Sequence, residues 1–524
     1  MIRVYNTQTR QKEDLHTLEP SKVKMYVCGP TTYNFIHLGN ARPLVVFDTI
    51  RRYLKYRGYV VTYVQNFTDV DDKIINRARE EGIDAAALAQ RYIDEYFIDA
   101  DALGVVRADL HPRVSQHMPE IIEMVSKLVE KGHAYQLDGD VYFRVGSFPT
   151  YGKLSGRSLE EMLMGARVEI NDRKEQPVDF ALWKKAKPGE PSWDSPWGKG
   201  RPGWHIECSA MSMKYLGASF DIHGGGADLT FPHHENEVAQ SEAYSGQPFV
   251  RYWLHNGFIT VNKEKMSKSL GNFFIVRDIL DKFSAQVVRF YLLSTHYRSP
   301  LDFDDSKLQE AGRALDRIKT TWLLLKEAVG KADHEAELSD RDIIDKLSLL
   351  QSEFVLAMDD DFNTSLAISH IFEMAHEINK YLAGENITDR VIELATGLLA
   401  ETTNVLGLDL KTKNHDRGLI GELTQVLIGI RNEARKGKDF ATSDIIRDLL
   451  GGQGIMLEDS KEGTRFRFQD EPNLDDIMEG VTELRRVLRE KRNFVLADLL
   501  RDSLGRAGIV LEDTKEGTRW KVKD

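Results

Sequence analysis

The most informative stretch of this chain is Gly203–Glu237, which reads GWHIECSAMSMKYLGASFDIHGGGADLTFPHHENE. It contains Cys208, one of only two cysteines among 524 residues. Near its end His233 and Glu237 are four residues apart, so in a helix both side chains share a face and can reach one ion. A thiolate, an imidazole and a carboxylate are zinc-type ligands, one short of the usual four. The stretch therefore predicts part of a metal site.

The second cysteine, Cys28, is the candidate for the missing ligand. If the fold brings it beside Cys208, the set becomes two cysteines, one histidine and one glutamate. The alternative is that both cysteines are buried small hydrophobic residues, and spacing alone leaves the two readings equally open. A zinc protease is excluded, because His234-Glu235 is not followed by the second histidine of an H-E-x-x-H motif.

Length and composition indicate a multidomain cytoplasmic protein. At about 150 residues per domain, the 524 residues make about three or four domains. The hydrophobic content of 41% is enough for real cores, and the net charge of −12 argues against a general nucleic-acid coat or a polybasic membrane binder. Two cysteines provide no disulfide framework. We find no signal peptide in Met1–Arg10 and no apolar run near the roughly 18 residues of a membrane span.

Apolar segments alternating with glycine turns predict a Rossmann-like α/β sheet. Val23–Cys28 and Tyr59–Asn66 read as strands on either side of a helix at Leu44–Leu54. The segment His37-Leu38-Gly39-Asn40 falls just before that helix, where unpaired N–H groups and the helix dipole favour a phosphate. This pattern is typical of a nucleotide-binding sheet, although many helices begin with glycine or asparagine.

The sheet is expected to resume at Phe220–His223, followed by Gly224-Gly225-Gly226 and Asp228. Three glycines let a ligand approach the backbone, and the carboxylate beyond them could hold a ribose. By itself a glycine run is more often a turn than a site. A further strand, Tyr252–Thr260, leads into the lysine-rich segment Lys263–Asn272. That segment is either a solvated loop or a site whose lysines neutralise the negative charge of a polyphosphate.

The C-terminal half is predicted to be helical and ends in a repeat. Ala311–Leu408 has a helical period that suggests a bundle. Ser443–Phe468 matches Ala497–Val522 at a constant offset of 54 residues. Each copy reads as helices followed by two short strands joined at a glycine turn. Two copies indicate a duplication, since a solenoid needs three or more.

Together these motifs resemble the class I aminoacyl-tRNA synthetases, and among them the cysteine-specific family. His37-Leu38-Gly39-Asn40 stands where the family has H-I-G-H, and Lys265–Ser269 matches the K-M-S-K-S signature. The second tail copy is a departure, because the family usually carries one. The flanks that resemble the cysteine-specific members are Tyr26–Arg42, Gly203–Ala210, Phe220–Glu237 and Leu254–Asn272.

The resemblance implies a site built from four groups of residues. The implied ligands of one zinc ion per chain are Cys28, Cys208, His233 and Glu237. The implied catalytic residues are His37, Asn40, Lys265 and Lys268. The implied nucleotide contacts are Gly39, Gly224, Gly225, Asp228 and again Lys268. The implied contacts of the amino acid are Thr68, Trp204 and His223.

The implied activity is ATP-dependent ligation of L-cysteine to tRNA(Cys) through cysteinyl-adenylate. The cysteine sulfur would bind zinc as a thiolate, which the harder and less acidic serine hydroxyl cannot do, so no editing domain is needed. Magnesium is expected to accompany ATP without a dedicated protein cage. The enzyme is expected to be a cytoplasmic monomer. Its fold class is an α/β Rossmann-like catalytic domain, then an α-helical bundle and small mixed α+β C-terminal modules.

The expected domain limits follow the same resemblance. The catalytic domain occupies 1–115 and 201–250, separated by a connective insertion at 116–200. The signature-lysine loop and stem-contact region follow at 251–310, and a tRNA-binding helical bundle at 311–410. The two C-terminal copies occupy 411–470 and 471–524. The first copy is expected to read the anticodon with Arg465 and Phe466, so that a chain ending at Gln469 would still charge tRNA.

Two rival functions share many of these motifs. A cysteine ligase that transfers cysteine to an aminosugar lacks a long tail, whereas this chain has over 200 residues after the signature lysines. A catalytically inactive zinc- and RNA-binding paralogue would not be expected to keep both Lys265–Ser269 and all four candidate ligands. An ATP–pyrophosphate exchange assay would distinguish an active enzyme from this inactive paralogue.

Overall fold

The computed structural model describes the chain except for residues 159–173, 262–263, 266–273, 330–339, 385, 411–414, 461–462, 469–471, 515–516 and 523–524. The chain forms two compact units, Met1–Val276 with Arg289–Leu410, and Arg277–Val288 with Lys411–Asp524. Within the described residues no helix is both long and apolar enough to cross a membrane. The domain limits proposed from the sequence stay a prediction.

Strands and helices alternate in the first half of the chain and helices dominate the second. The strands are β1 (Arg3–Asn6), β2 (Gln11–Asp14), β3 (Lys22–Val27), β4 (Val60–Gln65), β5 (Ala134–Leu137), β6 (Asp140–Phe143), β7 (Phe180–Lys185), β8 (Gly200–Pro202), β9 (Phe220–Gly226), β10 (Val250–Asn256), β11 (Ile259–Val261), β12 (Glu264–Lys265), β13 (Leu301–Phe303), β14 (Ile455–Ser460), β15 (Gly463–Phe468), β16 (Ile509–Thr514) and β17 (Gly517–Val522). The helices are α1 (Leu38–Tyr56), α2 (Asp72–Glu81), α3 (Ala85–Ala102), α4 (Met118–Glu130), α5 (Trp204–Leu216), α6 (Glu235–Ser245), α7 (Val276–Leu280), α8 (Ala285–Leu293), α9 (Asp305–Ala328), α10 (Asp340–Asp359), α11 (Thr364–Leu382), α12 (Asp389–Val405), α13 (His415–Lys436), α14 (Phe440–Gly452), α15 (Leu474–Glu490) and α16 (Phe494–Arg506).

The central sheet confirms the predicted Rossmann-like α/β class. Its strands lie in the order β10-β9-β3-β4 and every neighbouring pair is parallel. The chain proceeds from β3 to β4 on one side, whereas β9 and β10 lie on the other, so the strand order reverses between β3 and β9. In open parallel sheets, ligands bind at the carboxyl ends of the strands at this reversal.

Helix α1 begins six residues earlier than the sequence pattern predicts. The predicted start at Leu44 reflects Pro43, because a proline removes the hydrogen bond to the carbonyl four residues before it. Here that carbonyl belongs to Gly39, in the first turn of the helix. The helix therefore runs through Pro43 and carries the whole Leu38–Tyr56 segment.

Strand β9 continues through the glycine run that was predicted to be a turn. A Cβ atom at Gly224 would lie 2.3 Å from the Phe47 ring, and one at Gly225 would lie 2.9 Å from the His234 ring. The two glycines thus let α1 and His234 pack directly on the strand. Glycine is therefore required at these two positions for internal packing.

The Pro/Gly-rich insertion contains a second sheet that composition did not reveal. Its antiparallel order is β5-β6-β7-β8, and β5, β6 and β7 lie within the insertion predicted at 116–200, whereas β8 begins at its last residue, Gly200. The apolar face of this sheet is buried in one cluster with residues of α4 and α5, which include Ile121 and Ile206. The insertion is therefore packed against the helix that carries Cys208.

The predicted helical bundle is confirmed as α9–α12, and one strained corner ties it to the catalytic domain. Asp361 and Phe362, between α10 and α11, have φ values of 64° and 51°, which non-glycine residues rarely adopt and which cost about 1–3 kcal/mol each. The buried Asp361 carboxylate accepts hydrogen bonds from the Tyr5 N–H at 2.8 Å, the Tyr297 hydroxyl at 2.9 Å and Arg298 Nε at 2.7 Å. These bonds offset the strain and hold the corner.

The two tail copies repeat each other in structure as well as in sequence. Each is a helix pair followed by a β-hairpin, and α13 packs against α16 while α14 packs against α15. Buried apolar residues of both copies belong to one cluster and correspond at the offset of 54. They are Ile420, Leu423, Leu427, Ile430 and Ala434 in the first copy and Leu474, Ile477, Val481, Leu484 and Leu488 in the second.

Because the two copies share this core, we expect that neither folds stably alone, which revises the expectation that the first copy works in a chain ending at Gln469. A chain ending at Gln469 would expose the apolar faces of α13 and α14, and each fully exposed large side chain costs about 1.5–3 kcal/mol against a domain stability of only about 5–15 kcal/mol. Residues 415–468 should then become protease-sensitive and lose hydrogen-exchange protection. A chain ending at Leu410, which lacks both copies, is the control for the stability of the rest of the protein. Hydrogen-exchange protection of 415–468 in the chain ending at Gln469 would contradict the expectation.

Candidate functional site

A cavity of about 420 Å³ opens at the reversal of strand order, at the carboxyl ends of β3 and β9. Its walls come from the segment after β3, the first turns of α1, the start of α5, the segment after β9 and the junction of β10 and β11. The sequence-predicted site residues that line it are Cys28, His37, Gly39, Asn40, Thr68, Trp204, Cys208, Asp228 and His233.

The four predicted metal ligands converge at one end of this cavity. One donor atom from each of Cys28, Cys208, His233 and Glu237 lies within 4.8 Å of the other three. The two sulfur atoms are 3.7 Å apart, Cys28 Sγ is 3.6 Å from Glu237 Oε1, and His233 Nε2 is 3.0 Å from the same oxygen. Three of the four residues are fully buried, which suits a structured site more than a chance surface group.

Two of the four candidate ligands, Glu237 and Cys208, are deprotonated at neutral pH. Burial raises the pKa of Glu237, but the charges of His223 and His233 outweigh it and bring the pKa to about 2. A hydrogen bond from the Cys28 thiol lowers the pKa of Cys208 to about 6. Burial and Cys208 raise the pKa of the Cys28 thiol well above its ordinary value, and against the effect of burial Glu237 raises the pKa of His233 to about 10. These two groups would therefore release protons on binding zinc, whose ligands must be deprotonated.

A second group of four overlaps the first. Cys28 and Glu237 also lie within 4.8 Å of donor atoms of His223 and His234. The set with both sulfur atoms fits zinc better, because soft thiolates select this metal. It also faces the cavity, which Cys28, Cys208 and His233 line and His223 and His234 do not. Among the described residues, the set with two cysteines is the one that is compatible with a zinc ion open to a ligand in the cavity.

Further histidines surround the cluster and orient its members. His205 Nδ1 lies 2.9 Å from His233 Nδ1, and His223 Nε2 lies 2.8 Å from Glu237 Oε2. Burial holds the pKa of His205 well below its ordinary value, so this ring is neutral at pH 7. Metal-binding histidines and carboxylates are typically fixed by such outer partners. His223 contacts a candidate ligand, and its predicted contact with the amino acid stays a prediction.

A chain of side-chain contacts connects the cluster to the N-terminal segment through two further histidines. His234 Nε2 is 3.3 Å from Cys28 Sγ, and His234 Nδ1 is 2.8 Å from His255 Nε2. His255 Nδ1 in turn lies 2.8 Å from the Thr7 hydroxyl. Burial lowers the pKa of His255 to about 3, so the ring is neutral. These contacts fix the position of the Cys28 side chain from the side away from the cavity.

Glu235 and Asn236, which lie between the candidate ligands His233 and Glu237, hold the insertion in place. The buried Glu235 carboxylate accepts hydrogen bonds from Gly152 N at 2.9 Å and Ser155 N at 2.7 Å. Asn236 accepts one from the Tyr151 hydroxyl. In the segment 233–237, His233, His234 and Glu237 therefore contact the cluster, whereas Glu235 and Asn236 contact the insertion.

Two predicted contacts of the amino acid lie beside the cluster. The Trp204 ring is 4.2 Å from the His233 ring, and the tryptophan is 40% exposed at the cavity. The buried Thr68 hydroxyl donates to Glu207 Oε2 at 2.9 Å. Burial raises the pKa of Glu207 well above its ordinary value. Sequence reasoning missed Glu207, whose position next to Cys208 was its only signal.

The opposite end of the cavity is the amino terminus of α1. The Asn40 side chain accepts a hydrogen bond from the His37 backbone N–H at 3.2 Å, as in the reciprocal arrangement of a capping box. The side chain of Asn40 is thus used within the turn, and the N–H groups of Leu38 and Asn40 donate to Phe274 O at 3.0 Å and His37 O at 2.8 Å. Gly39 and Asn40 line the cavity, so the positive end of the helix dipole lies beside it. Such a terminus favours an anion.

Several predicted site residues lie elsewhere or outside the described residues. Gly224 and Gly225 are covered by Phe47 and His234, and of that run Gly226, with Asp228 beyond it, lines the cavity. Lys265 ends the two-residue strand β12, which pairs with β11 next to the cavity wall. Lys268 lies outside the described residues.

Comparison with known families assigns most of the chain. The family described as "tRNA synthetases class I (C) catalytic domain" matches residues 14–313, and the DALR domain matches 353–411. The chain is 60% identical over 486 residues to the cysteine--tRNA ligase of Pelotomaculum thermopropionicum, covering 89% of this chain and 100% of that protein. It is 59% identical over 485 residues to the cysteine--tRNA ligase of Desulforamulus reducens, with the same coverage.

The uncovered share of this chain is about a tenth, which is about the length of one tail copy. Among solved structures, Mycobacterium tuberculosis methionyl-tRNA synthetase bound by methionyl-adenylate is similar, with a TM-score of 0.57 at 15% identity, covering 77% of this chain and 94% of that one. The Campylobacter jejuni arginyl-tRNA synthetase gives 0.53 at 12% identity, covering 75% and 94%. These two likenesses concern the fold alone. On its sequence relatives and its catalytic-domain match, the chain belongs to the cysteine--tRNA ligase family of class I aminoacyl-tRNA synthetases.

Proposed function

We propose that the protein ligates L-cysteine to tRNA(Cys) in two steps, through cysteinyl-adenylate. The observation that carries the proposal is the single cavity with a soft-donor cluster at one end and the amino terminus of α1 at the other. A thiol bound at the first end and a phosphate bound at the second would bring the carboxylate of cysteine to the α-phosphate of ATP.

The cluster would select the side chain of the substrate. Cys28, Cys208, His233 and Glu237 would hold one zinc ion per chain. When bound, zinc would supply a Lewis acid that favours the thiolate form of the substrate cysteine. Trp204 and Thr68 would contact the rest of the amino acid. His205 would keep His233 in place, and His223 would keep Glu237 in place. A site that depends on a sulfur contact can reject the hydroxyl analogue by about 10⁴–10⁵-fold.

The activation step needs positioning more than acid–base chemistry. A carboxylate oxygen of cysteine forms a bond to the α-phosphorus while the bond to the bridging oxygen breaks and pyrophosphate leaves. The carboxylate is already ionised at neutral pH, so no general base is required. His37 and the backbone at Gly39 and Asn40 would contact the phosphates, and Asp228 the ribose. Lys265 and Lys268 would neutralise the charge that grows on the leaving group.

In the second step the terminal ribose hydroxyl of tRNA would attack the adenylate carbonyl and release AMP. Magnesium would enter with ATP. The two cysteines are not disulfide-bonded, which supports a reducing cytoplasm. The second tail copy covers the apolar face of the first, which supports a monomer.

The decisive experiment is cysteine-dependent ATP–pyrophosphate exchange followed by charging of tRNA(Cys). We expect exchange with cysteine and none above background with serine, and then attachment of cysteine to tRNA. Exchange with transfer to an aminosugar instead of tRNA would indicate the ligase alternative. Absence of exchange by a folded, metal-loaded protein would indicate an inactive paralogue and refute the proposal.

We further propose that the first tail copy contacts the anticodon. Arg465 lies on the exposed face of β15, whereas Phe466 and its counterpart Trp520 pack against the shared core, so the aromatic rings are occupied in packing. Single-stranded bases are read by arginine planes and edge hydrogen bonds as well as by aromatic rings. The arginine would therefore carry the contact.

A matched pair of charge reversals tests this assignment. Arg465→Glu should lower kcat/KM for tRNA by about tenfold or more, since one good arginine–base contact contributes about 1–3 kcal/mol. Arg519→Glu, the same substitution 54 residues later, should change it by less than about threefold, as a substitution outside a functional contact usually does. Exchange without tRNA controls for the catalytic site. The opposite ranking would assign the anticodon to the second copy.

A further inference from the structure

The side chain of Arg42 lies wholly buried between two walls of the cavity. It projects from the first turns of α1, two residues beyond Asn40. Its Nη1 donates to the carbonyl oxygens of Gly257 and Phe258, both at 2.9 Å. Its Nη2 donates to Ser299 O at 2.6 Å and to His296 O at 3.4 Å. One guanidinium thus joins three separate parts of the chain.

Two of these carbonyls belong to the cavity wall opposite α1. Gly257 and Phe258 connect β10 to β11, and both line the cavity together with Gly39, Asn40 and Pro43 of α1. The same connection leads through β11 to β12, where Lys265 lies. Arg42 therefore links the wall that carries the first signature to the wall that precedes the second.

The connection is built around this link. A Cβ atom at Gly257 would lie 2.5 Å from Ser299 O, so only glycine allows the two segments to approach. Gly257 N donates to Tyr297 O at 2.8 Å, and Leu301 N donates to Phe258 O at 3.0 Å. The peptide groups at 257–258 are therefore held from both sides, and Arg42 provides the hold from the side of α1.

Arginine is the residue that can make this link. Its planar fork directs several N–H groups in fixed directions, whereas a lysine ammonium is a compact point charge on a flexible stem. Burial lowers the pKa of Arg42 to about 10, so it stays protonated at neutral pH. Among the described residues no carboxylate pairs with it, so its partners are backbone carbonyls.

We propose that Arg42 is a positioning residue that sets the distance between the two walls of the nucleotide end of the cavity, and so the binding geometry of ATP. The proposal rests on the proposed function for the identity of the nucleotide. It predicts an effect on ATP that the amino-acid end, with Cys28 and Cys208, does not share.

The test is Arg42→Lys, with Arg289→Lys as the matched control. Arg289 is also fully buried and donates to backbone carbonyls, at 2.7 Å to Leu406 O and 3.1 Å to Leu103 O. It differs from Arg42 in also pairing with the buried Asp48 carboxylate, and it does not line the cavity. Arg42→Lys should lower kcat/KM for ATP on the order of 10²-fold, as expected for a misplacement of about 1 Å. The KM for cysteine should change less than about threefold, within the small range of an uncoupled site.

Gly257→Ala provides a second route to the same result, because the added methyl group displaces the same peptide from the other side. If Arg42→Lys does not fold, this variant should still show the loss confined to ATP. Equal losses for ATP and cysteine, or an ATP-specific loss in Arg289→Lys, would overturn the proposal. Equilibrium ATP binding without cysteine keeps the test separate from the proposed function, since it is informative even if cysteine-dependent exchange is absent.

Discussion

Replacement of Cys28 by serine should abolish cysteine activation while leaving ATP binding intact. A serine hydroxyl stays protonated at neutral pH and is a poor zinc ligand, so the variant loses both a thiolate and the arrangement of the remaining three groups. We expect cysteine-dependent exchange to fall by more than about 100-fold, the upper end of what loss of an outer partner of a metal ligand costs. Metal analysis should find about one zinc ion per wild-type chain and much less in the variant.

His205→Gln is the graded comparison for this prediction. Its side chain touches His233 from behind at 2.9 Å and offers no donor to the ion, so the loss should be intermediate, about 10–100-fold. Equilibrium ATP binding serves as the control for an intact nucleotide end in both variants. A fully active Cys28→Ser enzyme, or active wild-type protein without zinc, would rule out the metal cluster as the recognition element.

Replacement of Lys268 by alanine should slow adenylate formation by about 10²–10³-fold, the usual cost of removing one group that stabilises charge in a transition state. Negative charge grows on pyrophosphate only as the bond to the α-phosphorus breaks. An interaction that strengthens at that moment changes kcat, and the KM for cysteine should stay within about threefold. Single-turnover measurement of adenylate would separate this step from tRNA transfer.

Lys263→Ala is the matched control for this variant, because it removes the same charge five residues earlier in the same segment and outside the signature. It should retain most of its activity. An increase in KM at unchanged turnover in Lys268→Ala would assign this lysine to substrate binding alone.

The features that could be predicted from the sequence are those determined by residues close together in the chain. The strand before Cys28, the tail repeat and the helical bundle all follow from local periodicity, and the structure confirms them. The convergence of Cys28 with Cys208 required more, because 180 residues separate them. Sequence spacing did not decide whether the two cysteines meet, and the prediction came from the resemblance to the synthetase family.

The features that were missed depend on contacts between distant segments. Nothing local to Arg42 indicates that four carbonyls more than 200 residues away surround it. The glycines after His223 looked like a turn or a ligand site, whereas Phe47 and His234 decide their role by packing against them. His205 and His255 carry no motif of their own, so their place around the cluster became apparent only from the fold.

The two tail copies, which share one core, stay paired when the protein is diluted. Two separate chains joined through such a face would dissociate as protein concentration falls. Here a short connection before Asn473 joins the partners, and a short linker keeps an effective local concentration in the millimolar range at any abundance. The duplication has thus converted what would be a second-order association into a property of one polypeptide, and mutations that weaken the face are tolerated better than in a free dimer.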